Sequence, residues 1–138
     1  MALIVTPNIP EAEVLVGHPL ETLDEIHDAA KELHAMGAAN VVIKGGHRNE
    51  KMATDVLYDG AGFREYTTGR VDTQNTHGTG CTFASAIAAT LAKEDTVQNA
   101  VASAKAFVTK ALQESYAIGH GHGPVHHFYR YWRPHIFE

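Results

Sequence analysis

The stretch Thr73-Gln74-Asn75-Thr76-His77-Gly78-Thr79-Gly80-Cys81 combines residue types and spacing that can do chemistry. It is a polar loop broken by glycines, and it runs directly into an apolar, alanine-rich segment, Thr82 to Leu91. Gly78 and Gly80 permit backbone conformations that a side chain would forbid. A helix starting there aims unpaired N–H groups back into the loop. With the positive end of the helix dipole, those groups form a site for an anion such as phosphate. Cys81, the single cysteine of the chain, falls in the first turn of that helix. A thiolate is stabilised in such a position and can act as base or nucleophile. The competing reading is an ordinary glycine-rich loop with Cys81 as a small buried apolar residue. The direct succession Gly78, Thr79, Gly80 and an apolar helix favours the anion site.

Other residues carry weaker signals. Asn8 and Glu11 place an amide and a carboxylate three residues apart around a helix start. Such a pair can hold a hydrated Mg²⁺, although on spacing alone plain helix capping accounts for it better. Lys44 ends an apolar strand before Gly45-Gly46-His47. It suits the neutralisation of phosphate oxygens as a point charge, or equally a solvated strand end. His77 lies four residues before Cys81, but a cysteine–histidine nucleophilic pair has no evident third group to orient it. His120, His122, His126 and His127 match no standard zinc spacing and read as packed or solvated loop histidines.

These residues need elements to position them. Ala2 to Val5 reads as a buried strand stopped by Thr6-Pro7-Asn8. A chain that opens on a core strand suggests that something upstream is missing. Pro10 to Val16 reads as a short helix, and Thr22 to Met36 as a longer one. Thr22 and Glu25 supply capping-box spacing and Gly37 a stop. Asn40 to Lys44 is a second buried strand, so strand, helix and strand predict a parallel βαβ unit. Thr54–Asp59 and Phe63–Thr68 flank Gly60-Ala61-Gly62 and predict an antiparallel hairpin at the sheet edge. Two helices follow, about 79–93 and 96–115, the second capped by Asp95 or Thr96. Its stripe is Val97, Ala100, Val101, Ala104, Phe107, Val108 and Ala111. The tail from Gly119 has no clear period. Ligands gather where the strands of an open α/β sheet end. The loops Thr6–Glu11, Lys44–His47 and Thr73–Cys81 are therefore expected at one edge.

The bulk numbers exclude several classes. A chain of 138 residues predicts one domain at most. A net charge of −5 argues against a general nucleic-acid or membrane-surface binder. One cysteine rules out an internal disulfide framework. No apolar run is long enough to span a bilayer and no signal peptide is apparent, so a cytoplasmic location is expected.

Three motifs together resemble a known family. Thr6-Pro7-Asn8-Ile9-Pro10-Glu11-Ala12-Glu13, Val42-Ile43-Lys44-Gly45-Gly46-His47 and Asn75-Thr76-His77-Gly78-Thr79-Gly80-Cys81-Thr82 are similar, in order and spacing, to hydroxymethylpyrimidine/phosphomethylpyrimidine kinases. That family belongs to the ribokinase-like superfamily and serves thiamine biosynthesis. Gly121 to Phe128 resembles the tail of some members. The resemblance implies an α/β, ribokinase-like fold: a partial, mostly parallel sheet flanked by helices, with an edge hairpin. It implies transfer of the γ-phosphoryl of ATP to 4-amino-5-hydroxymethyl-2-methylpyrimidine and then to its monophosphate. By residue, it implies Mg²⁺ at Asn8 and Glu11, ATP phosphates near Thr6, Asn8 and Lys44, and an anion hole at Gly78, Thr79 and Gly80. Cys81 stands where the superfamily's sugar kinases carry a catalytic aspartate. Pyridoxal kinases share these motifs and are the nearest rival, and a non-catalytic nucleotide-binding remnant is another. Family members are about twice this length, for a domain of up to roughly 300 residues. Residues 1–138 therefore resemble the C-terminal portion of the kinase domain. The half of a sheet that this implies predicts an apolar edge at Leu3–Val5 or its neighbouring strand, and a homodimer that covers it.

Overall fold

The computed structural model of the protein describes residues 1–46, 51–93 and 95–131. His47, expected in the loop after Lys44, and the tail beyond Tyr131 lie outside the described residues. The chain forms two compact units, Met1–Arg70 and Val71–Glu138.

The first unit contains α1 (Ile9–Val16), α2 (Leu23–Ala35), β1 (Val41–Gly46), β2 (Met52–Tyr58) and β3 (Phe63–Gly69). Both helices begin at capping boxes, Asn8 with Glu11 and Thr22 with Glu25. Pro10 sits in the first turn of α1, and Gly17 ends that helix in the left-handed conformation, φ 80°. Along α2, Ile26, Ala29, Ala30 and Leu33 recur at helical intervals and are buried. They join Ile9, Ala12, Leu20, Val41, Ile43 and Val56 in one apolar core. Val41 and Ile43, two residues apart, share a face of β1. Full burial of each Leu, Ile or Val contributes about 1.5–3 kcal/mol relative to exposure.

The sheet differs from the expected one. Its order is β1-β2-β3, and both pairings are antiparallel. The connection from β1 to β2 is too short for a crossover, and a parallel neighbour needs a dozen or more linking residues. The chain supplies such a connection once, between Val5 and Val41. There the parallel relation survives only as two bridges, Val5 with Val41 and Asn8 with Lys44. Ala2–Val5 accordingly forms no strand. It is not buried either: Leu3 is 59% exposed and Ile4 and Val5 are half-buried. The hairpin itself forms as expected. Asp59 closes it by accepting N–H bonds from Ala61 and Gly62, 3.0 and 2.9 Å.

The second unit contains α3 (Thr79–Leu91) and α4 (Val97–Gln113), which pack on each other. Thr82, Phe83 and Ile87 are the buried residues of α3. Ala100, Val101, Ala104, Val108 and Ala111 are those of α4. Val97 and Phe107, at the margins of the expected stripe, are half-buried. Thr96 rather than Asp95 caps α4, its hydroxyl accepting from the Asn99 N–H at 3.2 Å.

Candidate active site

In the first unit, Thr6, Asn8 and Glu11 line an open cleft of about 780 Å³ together with Val5, Pro7, Pro10, Val14 and Leu15. Asn8 Oδ1 accepts the Glu11 N–H at 2.8 Å, and Glu11 Oε2 accepts the Asn8 N–H at 2.8 Å. The cap holds both side chains in place at the mouth of α1. Their donor set is hard oxygen in an exposed setting, which suits a Mg²⁺ that keeps most of its waters. Lys44 is brought beside this loop. Its N–H donates to Pro7 O at 2.8 Å, and it is bridged in parallel with Asn8.

The end of β1 owes its course to a residue that the sequence did not single out. The pairing of β1 with β2 shifts register between Ile43 and Gly46, and Gly45 takes φ 75° there. Such a bulge bends the strand and re-aims the residues around it. Gly45 N–H donates to Asp55 Oδ1 at 2.8 Å, and Asp55 is only 4% exposed. A buried carboxylate on β2 thus pins the backbone next to Lys44. The signal available was a charged residue inside the apolar run of β2, Asp55 before Val56-Leu57.

In the second unit, Gly78 is the N-cap of α3 with φ 82°, and no side chain caps this helix. The other three helices each have a side-chain cap, from Asn8, Thr22 and Thr96. The Thr79 N–H bonds Thr76 O at 3.2 Å, and the helical ladder opens with Thr82 N–H to Gly78 O at 2.9 Å. Between them the N–H groups of Gly80 and Cys81 have no intrahelical acceptor, as at any helix start. The Thr79 hydroxyl turns back to donate to Thr76 O at 2.6 Å. Cys81 is exposed, contrary to the buried-cysteine alternative.

Cys81 borders a cleft of about 580 Å³ whose walls include Ser85, Lys93, Phe107, His127 and Arg130. His127, which the sequence presents as a packed or solvated loop histidine, has its Nε2 2.8 Å from Thr82 Oγ1, one residue beyond the cysteine. His77 is tied instead by its backbone, in a parallel bridge with Pro124. Among the described residues no hydrogen bond joins its ring to Cys81. Nor does any group of three or more His, Cys, Asp or Glu among them offer a metal site.

The sequence matches the family described as phosphomethylpyrimidine kinase over residues 1–126. The chain belongs to that family. It is 48% identical to a bifunctional thiamine biosynthesis protein of Geobacter sulfurreducens over 127 residues, 92% of this chain and 26% of that one. It is 47% identical to the hydroxymethylpyrimidine/phosphomethylpyrimidine kinase of Bacillus subtilis over 125 residues, 90% of this chain and 46% of the relative. The chain thus spans a quarter to a half of the curated relatives it matches. Among solved structures, the ADP complex of Bacillus subtilis pyridoxal kinase superposes with a TM-score of 0.87 at 43% identity, covering 96% of this chain and 50% of that one. The α/β class expected from the sequence holds for this member of the phosphomethylpyrimidine kinase family. No helix among its described residues is long and apolar enough to cross a membrane.

Proposed function

We propose that this chain is the C-terminal portion of a ribokinase-like domain that phosphorylates 4-amino-5-hydroxymethyl-2-methylpyrimidine and its monophosphate with ATP. The observation that carries the reading is the start of α3. Gly78 leaves the Gly80 and Cys81 N–H groups without a capping side chain, and Cys81 is exposed in the motif that the family match covers.

Phosphoryl transfer requires positioning and charge stabilisation more than a strong base. The Gly80 and Cys81 N–H groups would donate to the equatorial oxygens of the moving phosphoryl group, where negative charge is held. The Cys81 thiolate would take the proton of the attacking hydroxyl. Lys44 would neutralise phosphate oxygens, with Thr6 and Asn8 at the same mouth of α1. Asn8 and Glu11 would hold Mg²⁺, which supplies neutralisation of phosphate charge.

A second reading, pyridoxal kinase, is favoured by the likeness to the Bacillus subtilis enzyme. Coupled assays of ADP release with the pyrimidine alcohol and with pyridoxal separate the two. The pyrimidine alcohol is expected to turn over faster. Cys81→Ala is expected to lose most of that turnover while still binding ATP, and near-normal turnover removes Cys81 from the mechanism. Nucleotide binding without alcohol-dependent ADP release would instead identify a non-catalytic remnant.

The segment Ala2–Asn8 pairs with β1 along one side, and Leu3 is largely exposed. An apolar edge of that kind invites pairing. A homodimer that covers it is therefore part of this reading, as is a cytoplasmic location. Sedimentation giving a stable monomer would count against the dimer.

A further inference from the structure

We propose that the segment His122–His127 is a strap that fixes the anion-binding loop, with His127 a positioning residue that acts on the first turn of α3 through Thr82. The anion role of the loop rests on the kinase reading above, whereas the strap rests on contacts alone.

The loop Thr73–Gly78 has little to hold itself. Its own bonds are Asn75 N–H to Thr73 Oγ1 at 3.2 Å and Thr76 N–H to Gln74 O at 2.9 Å. Glycines lose more conformational freedom on ordering than any other residue. Ser115 holds the first half of the loop through Thr73 and Asn75, both at 3.3 Å, and the half that ends in Gly78 needs restraint from elsewhere.

The strap supplies it at three levels. At the loop, His77 N–H donates to Gly123 O at 3.1 Å and Val125 N–H returns to His77 O at 3.4 Å. His122 Nδ1 lies 3.1 Å from Gln74 O. Because a carbonyl only accepts, that ring carries its proton on Nδ1. At α4, His126 N–H donates to Ala111 O at 3.0 Å, and Val125 is 3% exposed. At α3, His127 Nε2 meets the hydroxyl of Thr82, a buried residue directly after Cys81. The strap thus joins the buried end of α4 to both the loop and the helix start.

Gly123 shows how closely strap and loop fit. It is buried, and a Cβ there would run into Asn75 Oδ1, with Asn75 Cγ at 3.0 Å. Asn75 cannot simply swing away without giving up its Nδ2 bond to Ser115 Oγ, 3.3 Å.

The test is amide hydrogen exchange on this chain and on His127→Ala, His127→Gln, Thr82→Val and Gly123→Ala. His127→Ala is expected to speed exchange at His77, Thr79 and Thr82 by about tenfold, the scale of one lost hydrogen bond. The amides of α2 and of Ala104 to Ala111 should keep their rates. Glutamine, whose amide reaches roughly where Nε2 sits, should restore most of the protection. Thr82→Val should reproduce the loss, and the double variant should add nothing further. Gly123→Ala should loosen the same amides without touching His127. Unchanged exchange in His127→Ala, or a rise spread evenly through α4, overturns the proposal.

Calorimetry with MgADP gives the second arm. Binding weakened about fivefold in His127→Ala and recovered in His127→Gln supports positioning of the anion loop. Equal binding in wild type and His127→Ala overturns that link. Absence of binding by the wild-type chain strikes the kinase reading instead, and the exchange pattern then decides the strap by itself.

Discussion

Asn8 and Glu11 cap each other: the amide oxygen of one and the carboxylate of the other each accept the partner's backbone N–H at 2.8 Å. The two functions weighed for this pair are therefore separable by substitution. Glu11→Gln keeps an acceptor for the Asn8 N–H and removes the charge. It is expected to leave the thermal midpoint unchanged and to weaken MgATP binding measured by calorimetry. Asn8→Ala is expected to cost about 1 kcal/mol in urea unfolding, the scale of a lost N-cap. Unchanged MgATP affinity in Glu11→Gln would leave the pair as a cap alone.

Gly78 holds φ 82° with open space where a Cβ would stand. Gly78→Ala thus meets no neighbour, and its penalty is backbone strain alone, about 1–2 kcal/mol. The expected result is that loss in urea unfolding together with weaker nucleotide binding. A stability unchanged by the substitution would mean that the loop tolerates a different course.

Asp55 is 4% exposed and accepts the Gly45 N–H. Asp55→Ala leaves that half-buried donor beside Lys44 without its acceptor. The expected loss is about 1–3 kcal/mol in denaturant unfolding. Asp55→Asn keeps an acceptor and should recover most of it. If both variants unfold alike, the charge rather than the hydrogen bond sustains the bulge.

Glu25 accepts N–H bonds from Glu21 and Thr22, both at 2.8 Å, which hold its carboxyl below the ordinary value of 4.5. A group depressed in the folded state stabilises it above the unfolded value, and that stability is lost as pH falls through the native one. The thermal midpoint should therefore decline below pH 4.5. The decline should be shallower in Glu25→Gln, compared between neutral and about pH 3. Parallel curves for the two proteins would remove Glu25 from the acid response.

The local signals were legible because their causes are local. The caps at Asn8 and Thr22 and the closing turn around Gly60 depend on residues within one turn of the chain. So does the start of α3, since Gly78 tolerates the left-handed conformation from which the apolar run begins its helix. Gly78, Thr79, Gly80 and Cys81 stand out as candidates by residue type, whereas Thr6 enters only through the family resemblance, Asn8 and Glu11 read better as a cap, and Lys44 reads equally as a solvated strand end.

Tertiary structure decided what depends on residues far apart in the chain. Periodicity reports that a segment is apolar, not which neighbour it pairs with. The parallel unit read from strand, helix and strand survives only as two isolated parallel bridges, and the sheet that forms, β1-β2-β3, is antiparallel. Ala2–Val5 has the composition of a core strand, but burial is set by what covers it, and Leu3 stands in solvent. Asp55, on β2, gains its partner ten residues away on the neighbouring strand β1. His127 meets Thr82 across 45 residues, a contact that exists only once the tail has folded back over α3 and α4. Residue types and short spacings in the sequence alone determined which residues are candidates for the chemistry. Only the packing of distant segments determined how those groups are held, because hydrogen bonds between remote residues leave no periodic trace.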